Sequence, residues 1–392
     1  MPLHLYFHLP YCRRKCPYCD FYKQVPRSGE RQRFIQALLT EAVLARTQYD
    51  ILTGPALTVY FGGGTPSLHP PEEIGALIMQ ARELWGIQDS AEITLEANPG
   101  TLTAEMLAGW RQAGVNRLSL GAQSFSPRKL ALLYRDHTAD ETEKAVKLAR
   151  AAGFNNLSLD LIFGLPGETL DEWRTDLEQA FALAPEHVSL YNLEFHEGTP
   201  FDRWRASGKL VPLSEDVEAD LYLATHVFFT QRGYEHYEVS NFARPGYRAA
   251  HNSAYWEQKP YLGLGPSAHS FDGKRLRFFN RPDLHAYFAE IEANRLPVGG
   301  QQMLTVQEHL EEWISLALRR SDGILWAAAI EHLGEPLARR LWARAEELPE
   351  ALRVWSAEHF ALSAEGWFRE NSVLLFLYQA LETNTAPSAS YS

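Results

Sequence analysis

Short apolar runs alternate with helical patterns over the first half of the chain, and this alternation restricts the possible folds most strongly. Six runs have the composition of β-strands, at 3–9, 57–61, 93–97, 117–120, 157–163 and 188–193. The intervals between them carry apolar residues at three- and four-residue spacing, which predicts helices over 28–49, 72–85, 103–113, 139–152 and 169–183. Strands that alternate with helices predict an α/β fold with a parallel sheet and outer helices. Such sheets bind ligands at the carboxyl ends of their strands, so the loops there are the first place to look for a site.

The pattern changes in the last quarter of the chain. Three helical patterns follow one another there, over 305–319, 324–332 and 335–347. A glycine-rich and aromatic stretch that is too long to be only a turn separates them from the alternating region. We therefore predict a core over 1–240, a connecting segment over 241–300 and a smaller helical or α+β domain over 301–392.

The charge and composition exclude several classes of function. A net charge of −12 argues against a general affinity for nucleic acid or for anionic lipid, because both surfaces attract clustered basic residues. Apolar runs stay well below the ~18 residues of a membrane span, and the N-terminal residues lack the basic region of a signal peptide. We therefore expect a cytoplasmic protein that has no nucleic-acid partner.

The chain has three cysteines, and all lie in one loop after the first predicted strand. Cys12, Cys16 and Cys19 leave spacings of three and two residues, and an odd number of clustered cysteines does not suggest disulfides. Three thiolates can hold a 4Fe-4S cluster and leave its fourth iron open to a small molecule. The alternative is a structural zinc site in which His8 is the fourth ligand.

Polar residues and glycines follow the next predicted strands. The loop Gly62-Gly63-Gly64-Thr65-Pro66 leaves its backbone amides open to a ligand, although alone it also fits a tight turn. Polar groups then occur where a core would hold apolar ones, at Glu96 and Asn98, at Gln123 and at Asp160. Each could be a hydrogen-bonded structural residue, but their position at successive strand ends favours a polar pocket.

These motifs resemble those of the radical S-adenosylmethionine proteins, and the resemblance covers nearly the whole chain. It implies a partial (β/α)6 TIM-like barrel, a 4Fe-4S cluster on Cys12, Cys16 and Cys19, and S-adenosylmethionine as a second cofactor. The family's S-adenosylmethionine contacts match Tyr6, Gly63, Gly64, Thr65, Glu96, Gln123, Arg135 and Asp160. Arg135 suits the methionine carboxylate, and Asp160 suits the ribose hydroxyls.

Within that family the chain resembles the branch of oxygen-independent coproporphyrinogen oxidases and HemW-type haem chaperones. Phe21 stands where the oxidases have a further cysteine, and only eleven residues precede Cys12, where the oxidases have a long extension. The segment 251–256 matches an HNxxYW motif that the chaperones use for haem. The resemblance therefore implies haem contacts from His251, Tyr255 and Trp256, with His269 as a second candidate ligand, unless these residues only belong to the core.

The resemblance leaves three functions open. The first is a haem chaperone that transfers haem to acceptor haemoproteins such as respiratory cytochromes. The second is an oxygen-independent coproporphyrinogen III oxidase, and the third is a related radical methyltransferase or cyclopropanase. Phe21 and the HNxxYW segment favour the chaperone. The open iron would allow a cluster-linked homodimer, and membrane-bound acceptors would allow peripheral membrane contact, although no basic amphipathic helix argues for it.

Overall fold

The computed structural model describes residues 3–49 and 54–381. Its centre is a sheet in which six parallel strands lie side by side in chain order. These strands are β1 (Leu3–Leu9), β2 (Ala56–Gly63), β3 (Ile87–Ala97), β4 (Arg117–Gln123), β5 (Leu157–Phe163) and β6 (His187–Asn192). The predicted parallel α/β core is therefore confirmed, and β3 begins six residues before its predicted start at residue 93.

Helices connect the parallel strands, as the three- and four-residue spacing predicted. They are α1 (Glu30–Gln48), α2 (Pro71–Trp85), α3 (Ala104–Ala113), α4 (Pro127–Leu132), α5 (Ala139–Ala151) and α6 (Leu170–Ala182). Capping boxes fix the start of two of them, because Thr138 and Glu141 cap α5 and Thr169 and Glu172 cap α6. The six-residue helix α4 was not predicted, because it is too short to show a period.

The sheet extends beyond the six strands on both sides. After α7 (Pro200–Ala206) and α8 (Glu215–Thr230), the chain forms two short strands and a helix, β7 (Glu235–Glu238), β8 (Asn241–Ala243) and α9 (Ala250–Trp256). It then forms β9 (Tyr261–Leu264), β10 (His269–Phe271), β11 (Leu276–Asn280), α10 (Leu284–Glu292) and β12 (Val298–Met303). The sheet order is β12-β11-β10-β9-β1-β2-β3-β4-β5-β6-β8-β7. The segment 241–300, interpreted from sequence as a connection, therefore supplies strands to the same sheet.

The two faces of the parallel strands differ in chemistry. Leu5, Phe7 and Leu9 alternate with His4, Tyr6 and His8 along β1, and the other parallel strands repeat this alternation. The polar positions hydrogen-bond across strands, for example Tyr60 on β2 with Glu96 on β3. The sheet thus has one apolar face and one polar face, and the row of polar side chains continues to the carboxyl ends of the strands.

The chain forms two compact units. The first contains residues up to 236 together with 240–303, and the second contains 237–239 together with the residues from 304 onward. The second unit is mainly helical, with α11 (Val306–Leu318), α12 (Trp326–Leu333), α13 (Glu335–Glu346), α14 (Ala364–Phe368) and α15 (Glu370–Tyr378). It also holds a small sheet of β13 (Ile324–Leu325), β15 (His359–Leu362) and β14 (Arg353–Trp355), in that order. Over the described residues, no helix is both long and apolar enough to cross a membrane.

Candidate cofactor site

A cavity of about 410 Å³ opens at the carboxyl ends of the parallel strands; we call it the central cavity. Its size lies in the range of pockets that take one small organic ligand. Its lining includes most of the residues that the sequence singled out, namely Cys12, Cys16, Cys19, Gly63, Gly64, Thr65, Glu96, Asn98, Gln123, Arg135 and Asp160. These residues come from the ends of β2 to β5, from the cysteine loop and from the loop after α4, so the parallel topology brings them together.

The cysteine loop is fixed to the glycine loop by backbone contacts. Gly64 N–H donates to the carbonyl of Leu9 at 2.8 Å, and Thr65 N–H donates to that of Tyr11, also at 2.8 Å. A Cβ at Gly64 would lie 2.7 Å from atoms of Leu9, Pro10 and Tyr11, and all of these are backbone atoms. Only glycine lets the two loops approach this closely, so the glycine motif positions the chain that leads into Cys12.

The three thiols face the central cavity in a partly apolar setting. Thr65 Oγ1 donates to Cys12 Sγ at 3.5 Å. Burial raises the pKa of Cys12, although this hydrogen bond opposes the change, and burial also raises the pKa of Cys19 against the charge of Lys23. Among the described residues, no group of three or more His, Cys, Asp or Glu is placed to hold a metal ion.

His8, the alternative zinc ligand, is engaged elsewhere. Its Nε2 bonds to the carbonyl of Tyr22 at 2.9 Å, and its Nδ1 bonds to the hydroxyl of Tyr6 at 3.2 Å. Both ring nitrogens therefore have partners other than the thiols. This arrangement argues against a zinc site completed by His8.

Glu96 lies at the end of β3 with its carboxylate towards the glycine loop. Oε1 accepts from the Tyr60 hydroxyl at 2.8 Å, and Oε2 accepts from Gly63 N–H at 3.3 Å. Burial raises the pKa of Glu96 to about 7, although the hydrogen bond from Tyr60 opposes this shift. A carboxylate in this position can pair with a cationic amine in the cavity.

Gln123 is the last residue of β4, and Arg135 lies in the loop after α4. Arg135 Nη2 donates to the carbonyl of Gly121 at 2.8 Å, and its buried Nε has no hydrogen-bond partner in the described structure. A buried donor without a partner destabilises the folded protein, and a bound carboxylate would supply the missing acceptor. Gln123 has a φ of 64°, a left-handed backbone conformation that is uncommon for a side-chain-bearing residue.

Asp160 lies on β5 and is surrounded by hydroxyl groups. Ser119 donates to both carboxylate oxygens, at 3.0 and 3.1 Å, and Ser158 donates to Oδ1 at 3.2 Å. Burial raises the pKa of Asp160 against these hydrogen bonds. Its oxygens can accept further hydrogen bonds from a ligand that carries hydroxyl groups.

Tyr6, His251, Tyr255 and Trp256 are not among the described residues that line the central cavity. Tyr6 stacks on Tyr60 with ring centroids 6.0 Å apart, and Tyr60 lies two residues before the glycine loop. The HNxxYW segment forms α9, so its side chains project at helical spacing.

His251 is buried on the polar face of the sheet, 1% exposed, and both of its nitrogens are hydrogen-bonded. Nδ1 is 2.6 Å from Thr58 Oγ1, and Nε2 is 2.8 Å from the Tyr255 hydroxyl. Its ring stacks on Tyr60 with a centroid distance of 4.9 Å. Burial lowers the pKa of His251 well below its usual value, so the imidazole is neutral and suited to metal ligation once a nitrogen is released.

The central cavity also contains residues that the sequence analysis did not select. Arg13, Arg14, Tyr134, Tyr191 and His196 all contribute to its lining. Tyr191 occupies the same face of β6 as the polar residues His187 and Ser189, and Tyr134 directly precedes Arg135. The sequence therefore gave an indication for these two tyrosines. The two arginines gave no such signal, because exposed cations between cysteines are ordinary surface residues.

Comparisons with known proteins identify the family of this chain. The family model described as the radical SAM superfamily matches residues 6–180. The haem chaperone HemW of Synechocystis sp. is 33% identical over 410 residues, which cover 97% of this chain and 98% of that protein. The haem chaperone HemW of Escherichia coli is 39% identical over 287 residues, 70% of this chain and 73% of that protein.

Among solved structures, the coproporphyrinogen III oxidase HemN of Escherichia coli has the same fold. The TM-score is 0.81 and the sequence identity 24%, and the match covers 96% of this chain and 90% of that one. The radical SAM family model covers most of the parallel α/β core, and this match defines the class of the protein. The chain belongs to the radical SAM superfamily and, within it, to the HemW family.

Proposed function

We propose that this protein is a haem chaperone that binds haem and transfers it to haem-accepting proteins such as respiratory cytochromes. The observation that carries this proposal is the match to the haem chaperone HemW of Synechocystis sp. over nearly the full length of both chains. The proposal includes a 4Fe-4S cluster and S-adenosylmethionine as bound groups, which is what membership of the superfamily implies.

Cys12, Cys16 and Cys19 would hold the cluster, one thiolate on each of three irons. All three line the central cavity, which supports this assignment. When bound, the cluster supplies an electron for S-adenosylmethionine and an iron that can take the methionine end. The chain's own part is to fix the cysteine loop through Gly64 and Thr65 and to keep the thiols partly shielded from water.

Several other residues of the central cavity would hold S-adenosylmethionine. Glu96 is placed to pair with the methionine ammonium, the unpaired Nε of Arg135 with the carboxylate, and Asp160 with the ribose hydroxyls. Gly63 and Gly64 leave the backbone open beside the methionine. Tyr6 would act through its neighbours Tyr60 and His8.

His251, Tyr255 and Trp256 would bind haem. Ligation of iron by His251 requires one of its hydrogen bonds, to Thr58 or to Tyr255, to be exchanged for the metal. The Tyr255 bond is the one within α9 itself, so a shift of that side chain would free Nε2 without moving the sheet. Tyr255 and Trp256 would then lie beside the porphyrin.

We expect the reconstituted protein to bind haem saturably, and His251→Ala to weaken the binding or change the Soret spectrum because an axial ligand is lost. The measurement is an anaerobic haem titration of both proteins. His285→Ala is a matched control, because His285 is an exposed helical histidine. If neither protein binds haem saturably, the chaperone proposal fails, and coproporphyrinogen III turnover becomes the activity to assay.

A further inference from the structure

The central cavity has an aromatic rim, which we define as Phe21, Tyr134 and Tyr191. These side chains are 65%, 47% and 43% exposed, and they are the exposed large aromatic residues of the described chain. All three line the same cavity. Exposed aromatic side chains that gather at one opening mark a binding surface, because single exposed apolar residues otherwise scatter.

Two of the rim residues are held in defined positions. Tyr134 has a φ of 56°, a strained conformation for an aromatic residue, and its ring lies 6.1 Å from that of Trp204. Tyr191 is near the end of β6, paired with Ile162 of β5 in the sheet register. Strain of this kind persists where the surrounding structure imposes it, and it concentrates at ligand sites.

Two arginines lie on the cysteine-loop side of the same opening, and we call Arg13 and Arg14 the basic pair. Both are exposed and both line the central cavity, in a chain whose net charge is −12. Asp20 and Glu194 also line the cavity, beside His196 at 3.6 and 3.5 Å. An anionic ligand would therefore direct its charge towards the basic pair, where Arg14 also interacts with the carboxylate of Asp136, and away from Asp20 and Glu194.

We propose that the aromatic rim and the basic pair form a docking surface for a porphyrin that carries carboxylate side chains. This inference rests on the proposed haem function, and it places the ring at the cavity opening, separate from His251. The three aromatic rings would stack on the macrocycle, and Arg13 and Arg14 would pair with its propionates.

The size of the cavity agrees with this placement. A volume of about 410 Å³ suits one small ligand, which the proposed function assigns to S-adenosylmethionine. A porphyrin would therefore lie across the rim and cover the opening. Haem would dock here first by its ring and carboxylates, since nothing in this surface requires the iron.

Metal-free protoporphyrin IX tests whether docking is independent of the iron. It has the ring and both propionates of haem, but it has no iron that a histidine can ligate. We expect the wild-type protein to bind it saturably, measured by fluorescence titration. Phe21→Ser together with Tyr191→Ser should weaken this binding about tenfold, because two stacking contacts are lost. Arg14→Ser should weaken it about threefold, as expected for one exposed ion pair.

Two control variants match these changes. Lys15→Ser removes a cation from the same loop at a residue that does not line the cavity, and Met79→Ser removes an exposed apolar side chain on α2. Both should bind protoporphyrin like the wild type. Iron content and thermal unfolding of each variant report whether the cysteine loop and the fold are intact.

The outcomes separate this inference from the proposed function. If haem binds but protoporphyrin does not, or if the rim variants bind protoporphyrin like the wild type, the docking surface is wrong and the chaperone proposal stands. If neither porphyrin binds, both fail. Loss of binding in the rim variants but not in Lys15→Ser and Met79→Ser supports the docking surface.

Discussion

At the residue scale, Gly64 is constrained by backbone atoms, because a Cβ there would meet the backbone leading into Cys12 at 2.7 Å. We expect Gly64→Ala to lower the free energy of unfolding by about 1–3 kcal/mol and to displace the cysteine loop. Iron content after anaerobic reconstitution, together with thermal unfolding, checks both effects.

Gly75→Ala is the matched control. Gly75 lies inside α2, and its added Cβ would meet Ala113 at an ordinary 3.5 Å. Alanine there should stabilise the helix by roughly 0.5–1 kcal/mol and leave the iron content unchanged. Full iron incorporation in Gly64→Ala would contradict the role that we assign to the glycine loop.

The grouping of polar residues at strand ends could be predicted, because alternating strands and helices imply a parallel sheet whose strands all end at the same edge. Glu96, Gln123 and Asp160 were found in this way, and the family resemblance added Arg135. The engagement of His251 by Thr58 and Tyr255 could not be predicted, because Thr58 lies 193 positions away in the chain. Only the fold brings that hydroxyl to the imidazole.

At the scale of elements, the carboxylate of Glu41 joins α1 to α10 and to the chain around β9 and β11. It accepts hydrogen bonds from Asn280 at 2.6 Å, Gly265 N–H at 2.8 Å and the Tyr287 hydroxyl at 2.6 Å. Burial raises the pKa of Glu41 from 4.5 to about 7, although these hydrogen bonds oppose the shift. The folded state therefore keeps a proton that the unfolded state has released.

This shift in the pKa of Glu41 determines how the stability of the fold changes with pH. Between pH 4.5 and about 7 the folded chain binds more protons at Glu41, so its contribution to stability falls as the pH rises through that window, by up to about 3 kcal/mol. We expect Glu41→Gln to flatten the decrease in unfolding temperature between pH 5 and 8. Glu178→Gln, an exposed helical control, should keep the wild-type slope. Equal slopes in wild type and Glu41→Gln would rule out this contribution.

The long elements were predictable and the short ones were not. Helices α2, α3, α5 and α6 lie within one residue of their predicted bounds, because buried apolar positions set their period. Strands β8, β9 and β10 have three to four residues each, too few to show alternation, so their segment was interpreted as a connection. Their pairing is decided by distant strands such as β1 and β6.

At the scale of the whole molecule, a net charge of −12 opposes the approach of a dianionic porphyrin to the basic pair. Salt screens this long-range repulsion, since the Debye length falls from about 30 Å at 0.01 M to about 10 Å at 0.1 M. We expect the association rate of protoporphyrin IX to rise about two- to threefold over this range. Stopped-flow fluorescence at concentrations that keep the porphyrin monomeric measures the rate.

The dimethyl ester of protoporphyrin is the control, because it lacks the carboxylates and should associate at a rate that is independent of salt. A rate that instead falls as salt is added would mean that the local field of Arg13 and Arg14 outweighs the charge of the whole molecule. The sequence allowed the net charge to be counted, but it did not show that both arginines line the opening.

The pairing of β1 also affects how the protein is made. This strand leaves the ribosome well before β9, which completes one of its edges. The backbone after β9 fits so closely against His8 that a Cβ on Gly265 would lie 2.5 Å from the His8 carbonyl oxygen. At translation rates of about 5–20 residues per second, the roughly 250 residues between the two strands take about 12–50 s to synthesise. For that time the three thiols follow a half-paired strand on a nascent chain. Delivery of iron and sulfide to this protein is therefore expected after translation of β9, and a ribosome-bound chain that stops before residue 261 should not retain a cluster.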